Sequence, residues 1–151
     1  MYSADRPDLG EAWDDSYDHC FAKGYDVVTN IAPDSPDITQ DYLSRELRMT
    51  DTHDVVIGPS TDGGYYLLAM RGMRSTVFSD VSWGTEDVFK QVVENAYSLG
   101  SSLHVLPVWY DVDNLFQMKF MTDHLAAFRI SGQLPSYYEK LAAFVEGLGT
   151  F

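Results

Sequence analysis

Four short stretches of this chain place carboxylates, hydroxyls or aromatic rings beside residues that interrupt regular structure. Pro33-Asp34-Ser35-Pro36-Asp37-Ile38-Thr39 sets two aspartates among prolines, and Asp62-Gly63-Gly64-Tyr65 sets one against paired glycines. Trp109-Tyr110-Asp111-Val112-Asp113 repeats a carboxylate at alternate positions, and Trp83-Gly84-Thr85 joins an indole to a hydroxyl. Carboxylates gathered at strand ends hold divalent cations through oxygen, or accept hydrogen bonds from a hydroxyl-bearing ligand. Asp111 and Asp113 would point the same way on extended backbone, and two like charges repel unless a cation or donor lies between them. Gly63 and Gly64 lack Cβ atoms and permit positive φ, so a ligand can approach the backbone with Asp62 at the rim. Plain structural roles stay open beside these. Asp62-Gly63 also suits a simple turn, Asp37 or Thr39 a helix cap, and Asp111 and Asp113 turn and capping residues. Asp34 lies too far ahead of the following helix to cap it. Thr85 suits a cap alone, or a cap whose helix N-terminus receives a phosphate or sugar beside Trp83.

The elements that must present these groups follow from periodicity. Leu9, Trp13, Tyr17, Cys20 and Phe21 fall at helical spacing, with Asp8 as N-cap and Gly24 as stop, while Asp14, Asp15 and Asp18 form a solvated face. Residues 25–32 predict a strand that ends at Asp34, and 41–49 a helix. The run from Val55 to Met70 predicts a buried strand, the Asp62 loop and a second strand. Arg71 to Ser79 reads as a surface connection. Thr85 opens a helix through Val88, Val92, Ala96 and Leu99 that stops at Gly100, and 102–108 predicts a last strand delivering Asp111 and Asp113. The remainder predicts helices over 116–128, with Phe116, Phe120, Met121, Leu125 and Phe128 as a core stripe, and over 137–148, separated by Pro135. His53, His104 and His124 lack ligand spacing, so no zinc motif is expected. Strands alternating with helices predict one α/β domain over residues 1–151 with a mainly parallel sheet, and ligands bind at the carboxyl ends of such strands.

Composition narrows the partners. Ten basic against 23 acidic residues give a net charge of −13, which repels nucleic acid and anionic membranes and favours cations. A phosphate-bearing ligand then requires a metal or backbone amides. The single Cys20 precludes an intrachain disulfide and points to the cytoplasm. No apolar run reaches the length of a membrane span, and none near the N-terminus reads as a signal peptide.

Asp8-Leu9-Gly10-Glu11, PDSPDIT at 33–39, GPSTDGGYYLLAM at 58–70, VSWGTEDVF at 81–89 and WYDVD at 109–113 occur in an order that resembles the bacterial DUF2064 family over roughly residues 5–130. That family is glycosyltransferase-like, with the GT-A nucleotide-diphosphosugar transferase fold, and some members are termed arsenosugar biosynthesis glycosyltransferases. More distantly the chain is similar to molybdenum cofactor and phospholactate guanylyltransferases. The resemblance implies a three-layer αβα domain, shortened at its N-terminus, holding the C-terminal two-thirds of the family domain with a C-terminal helix over 131–151. It implies metal-dependent transfer, chiefly of a glycosyl group from a nucleotide sugar to a small acceptor. Asp34, Asp111 and Asp113 take the role of Mg2+ or Mn2+ ligands, with Asp113 the better candidate of the later pair for a metal or donor-phosphate contact. Asp37, Gly63, Gly64, Tyr65, Trp83, Gly84 and Thr85 are substrate-binding, and Asp62 orients the acceptor.

Relatives begin with a strand and a glycine-rich basic loop that cradles phosphates, whereas this chain starts near Asp8. The family's Asp-Thr-Pro-Glu-Asp-Leu becomes Asp113-Asn114-Leu115-Phe116-Gln117-Met118, without its proline and later acids. A non-catalytic binding or assembly module derived from the same fold is therefore the alternative expectation. A sheet edge left uncovered and self-association into a homo-oligomer are expected as well.

Overall fold

The computed structural model describes residues 9–72 and 77–148. Asp8, the expected first N-cap, and part of the connection after Arg71 lie outside them. Helix α1 (Leu9–Ala22) presents Trp13, Tyr17 and Phe21 to the sheet at i, i+4 spacing, and the buried Tyr17 hydroxyl donates to the Leu68 carbonyl at 2.9 Å. Gly24, at φ 89°, turns the chain into strand β1 (Val27–Ile31). Helix α2 (Gln40–Glu46) starts at Thr39, whose hydroxyl accepts from the Tyr42 amide at 3.0 Å, so Thr39 and not Asp37 is its cap. A 3-10 turn, Leu47–Asp51, completes what the spacing predicts as one helix.

Strands β2 (Val55–Pro59) and β3 (Tyr65–Arg71) form the centre of a four-stranded sheet ordered β1-β3-β2-β4, where β4 is Leu103–Val105. The expectation of a mainly parallel sheet is overturned, because β3 runs antiparallel to both β1 and β2 and, among the described residues, only the β2 and β4 strands pair in parallel. Residues 60–64 are too few for a crossover, so β3 must fold back beside β2 as a hairpin arm and part it from β1. β1, β2 and β4 still share one direction, and their carboxyl ends open on a single edge. β4 is shorter than predicted because the odd residues of β2 face it, as the Val55 amide on the Ser102 carbonyl shows, and Pro59, the next in that series, has no amide to donate. The chain nonetheless stays alongside β2, with the Leu106 amide on the Ile57 carbonyl at 2.8 Å and the Trp109 amide on the Pro59 carbonyl at 3.0 Å.

Side-chain alternation divides the core between the two faces, and helices cover both. Val55, Ile57, Leu68 and Met70 pack with Tyr17, Phe78, Val88, Val92 and Ala96 under α1 and α3 (Val88–Ser98). Val56, Tyr66, Ala69 and Leu106 pack with Ile38, Tyr42 and Leu43 under α2. Helix α3 starts at Val88 after Asp87, later than the expected start at Thr85; the Thr85 hydroxyl instead accepts from the Asp87 amide and donates to the Ser82 carbonyl.

Helices α4 (Leu115–Ile130) and α5 (Glu139–Gly147) share a small core of Met121, Leu125, Ala142 and Val145. Asn114 caps α4, accepting from the amides of Phe116 and Gln117. The expected core stripe is corrected here, since Phe116 is 80% and Phe120 50% exposed. Successive helical residues are about 100° apart, so the 116/120 face is turned from the 121/125 face that α5 covers.

Candidate functional site

The shared direction of β1, β2 and β4 brings the loops at 33–37, 60–64 and 109–113 to one edge, and backbone contacts tie them together. The Val112 amide donates to the Asp34 carbonyl at 2.8 Å, and Ser60 bridges Trp109 in parallel register. Asp111 is only 5% exposed. Its Oδ1 accepts from the Ser35 hydroxyl at 3.1 Å, while its buried Oδ2 has no partner among the described residues. Burial pushes the Asp111 carboxyl up from its ordinary range; the Ser60 and Ser35 hydroxyls oppose this, and the negative charges of Asp62 and Asp34 add to it. Thus the charges of Asp34 and Asp62 both bear on the buried Asp111 at the sheet edge. Asp113 differs from its expected twin: it is exposed, and its backbone amide is held by Gln117 at 3.0 Å. The backbone leaves the strand before Asp111, so the alternation that would have aligned the two carboxylates does not operate.

Asp62 folds back on its own loop. Its Oδ1 accepts from the Ser60 hydroxyl and from the Gly64 amide at 2.8 Å, while Oδ2 has no hydrogen bond to the described residues. A Cβ on Gly64 would meet that Oδ1 at 3.1 Å, so this glycine makes room for the carboxylate. Gly63, at φ 91°, is approached by the backbone of Glu86, which a Cβ would overlap, and its carbonyl accepts from the Phe89 amide at 2.9 Å. The close approach foreseen for a ligand at Gly63 is therefore made by the following loop of the protein.

Between these two loops and the end of β1 lies a cleft of about 690 Å3, lined by Asn30 to Pro33, Asp62, Gly64, Tyr65, Trp83, Gly84, Thr85 and Glu86, with Trp13 at its wall. The volume suits a medium-sized ligand. Burial raises the Tyr65 hydroxyl above its ordinary range against the Asn30 side chain, which lowers it, so this phenol stays protonated as a donor. Trp83 packs under the cleft on Phe78, and its indole nitrogen is buried without a partner among the described residues. Gly84, at φ 80°, is open to solvent, and Thr85 and Glu86 are exposed.

Asp37 stands apart from the cleft. It is 1% exposed and accepts from the Trp109 indole at 3.1 Å, from the Tyr110 hydroxyl, and from His124 Nδ1 at 3.1 Å. It ties the loop after β1 to the chain after β4 and to α4. The expected site residues include none of His124, Ser35, Ser60 and Asn30. Ser60, two residues before Asp62, had a readable signal in the tendency of such hydroxyls to close short turns. His124 had none, because its partner is 87 residues away.

A family described as "Uncharacterized protein conserved in bacteria (DUF2064)" matches residues 1–85. That is more than half of the 151 residues. The chain belongs to DUF2064. Asp34, Asp37, the Asp62 loop and the Trp83 loop lie within the matched span, and Asp111 and Asp113 beyond it. The DUF2064 chain is also similar to a solved structure from Desulfovibrio desulfuricans G20, provisionally named as a nucleotide-diphospho-sugar transferase, with 32% identity and a TM-score of 0.73. The match covers 82% of this chain and 55% of that one, so the DUF2064 chain spans about half of the relative's length. No curated protein matches it. Among its described residues no helix is long and apolar enough to cross a membrane.

Proposed function

We propose that this DUF2064 chain carries the acceptor side and part of the metal site of a transferase that moves a glycosyl group from a nucleotide sugar to a small acceptor. The observation that carries the reading is that the loops bearing Asp34, Asp62 and Asp111 share one sheet edge, with Asp62 lining a large cleft, in a chain similar to a provisionally named nucleotide-diphospho-sugar transferase. The proposed ligands of Mg2+ or Mn2+ are Asp34, Asp111 and Asp113. Asp111 is the best supported, since its buried Oδ2 lacks a donor and neighbouring carboxylates repel it. Mg2+ retains several waters and often uses only one or two carboxylates together with substrate phosphates, so few protein ligands suffice. When bound, the ion would offset charge gained by a departing nucleoside phosphate. Asp62, anchored through one oxygen, would take an acceptor hydroxyl's hydrogen bond on the other. Tyr65, Trp83, Gly84 and Thr85 would line the ligand, and Asp37 and Gly63 would support it from behind. A cytoplasmic location and a homo-oligomeric state belong to the same proposal.

Titration calorimetry with nucleoside diphosphates and nucleotide sugars, with and without Mn2+, tests this. Metal-dependent binding of one nucleotide is expected, weakened about tenfold or more in Asp34→Asn, as loss of a metal ligand implies. An Mn2+ isotherm unchanged in Asp34→Asn would remove the metal. A second reading, a non-catalytic binding or assembly module, is favoured by one observation: among the described residues no three acidic, histidine or cysteine side chains are grouped closely enough to hold an ion alone. Failure of every nucleotide to bind the folded chain would select it.

A further inference from the structure

On the far side of the Asp62 loop from the cleft lies a second cavity, of about 300 Å3, lined by Thr61, Val108, Trp109, Tyr110, Phe120 and His124. Its walls are rings. Trp109 and Tyr110 lie nearly parallel, 8° apart, and Phe120 meets Tyr110 edge-on with centroids 4.8 Å apart. Two of the apolar lining residues, Val108 and Phe120, are 59% and 50% exposed. Flat aromatic walls favour stacked or edge-on ring ligands, and the volume is at the small end for ligand pockets, enough for a single ring.

The polar content of the cavity is small and oriented. His124 Nδ1 is held by the buried Asp37 carboxylate, which also fixes Trp109 and Tyr110. A ring nitrogen that donates to a carboxylate leaves the other nitrogen of a neutral imidazole as an acceptor. His124 Nε2 has no hydrogen bond to the described residues, nor has the Thr61 hydroxyl. Thr61 adjoins Asp62, and Ser60 bridges Trp109, so the cavity and the cleft are walled by the same loop.

We propose that this cavity is a second binding subsite, which takes a neutral single-ring ligand bearing a hydroxyl, packed against the aromatic wall formed by the stacked Trp109 and Tyr110 with Phe120 and donating its hydrogen bond to His124. The assignment of this ring as part of the acceptor rests on the transferase reading; its binding does not. The dyad of Asp37 and His124 is then more than a tether, because Asp37 selects the tautomer that receives the hydroxyl.

The probe is 4-methylphenol, with toluene as the matched ring lacking a hydroxyl, followed by NMR of the full chain labelled with 15N at tryptophan and histidine. A saturable shift of the Trp109 indole and His124 ring signals is expected at millimolar 4-methylphenol, at least about tenfold weaker for toluene, as loss of one buried hydrogen bond implies. Phe120→Ala removes one wall while keeping all three hydrogen-bond donors of Asp37, and is expected to weaken binding about tenfold, with an unchanged circular dichroism spectrum. Absence of a saturable shift, equal affinity in Phe120→Ala, or equal affinity for toluene would overturn the proposal. Ring binding in a chain that binds no nucleotide would remove the transferase reading and leave the subsite standing.

Discussion

Asp111 and Asp37 are both buried aspartates, and their surroundings assign them opposite behaviour. Three donors converge on Asp37, whereas one oxygen of Asp111 has none among the described residues. Replacing Asp37 by alanine leaves the Trp109 indole, Tyr110 hydroxyl and His124 ring without their acceptor. A destabilisation of at least about 3 kcal/mol is expected from unpaired buried donors and should appear as a lower urea midpoint. Asp111 should show the reverse. Its native pKa is raised above the unfolded value, so the folded chain binds more protons between the two values and stability falls as pH rises through that window. Above the window the cost is fully present. Asp111→Asn should therefore raise the melting temperature at neutral pH, flatten the fall in stability with rising acidic pH, and weaken Mn2+ binding. A melting temperature lower than that of the parent chain at neutral pH would count against a strained carboxylate.

At the scale of elements, two loops and two caps position everything at the sheet edge. The Asp62 loop and the Trp83 loop interlock at Gly63, where a side chain would need an unfavourable φ and would overlap the Glu86 backbone. Gly63→Ala should cost about 1–3 kcal/mol, and because it pushes the two walls of the cleft apart it should weaken ligand binding as well. Thr39 and Asn114 start α2 and α4 with side-chain oxygens on amides. Alanine at either should cost about 1 kcal/mol by denaturant titration. Only the Asn114 change is expected to disturb the His124 signals, since α4 carries that ring.

For the molecule as a whole, β1 is the exposed consequence of the strand order. Among the described residues it pairs only with β3, none of its residues is fully buried, and Ile31 is open to solvent. Such an edge is a template for another strand, and it also forms one wall of the cleft through Asn30 and Ile31. Phe116, Phe120, Ile130 and Phe144 add further exposed apolar surface on α4 and α5. Sedimentation velocity at micromolar concentration should show a dimer or larger species, and a clean monomer would argue against association through these surfaces.

The sequence alone determined the local events. Helix and strand periodicities, the stops at Gly24 and Gly100, and the aspartates after β1, β2 and β4 depend on neighbours within a few residues, and they place the Asp34, Asp62 and Asp111 motifs at strand ends as expected. The tertiary structure decided what those local events meet. That β3 is inserted antiparallel between β1 and β2, that Gly63 yields to Glu86, and that Phe116 faces solvent depend on contacts between distant segments. So does the difference between Asp111 and Asp113, two residues of one type and spacing parted by a backbone that leaves the strand. His124 carries the same lesson most sharply, because a ring on the fourth helix acquires its orientation only from an aspartate that the fold brings across the sheet edge.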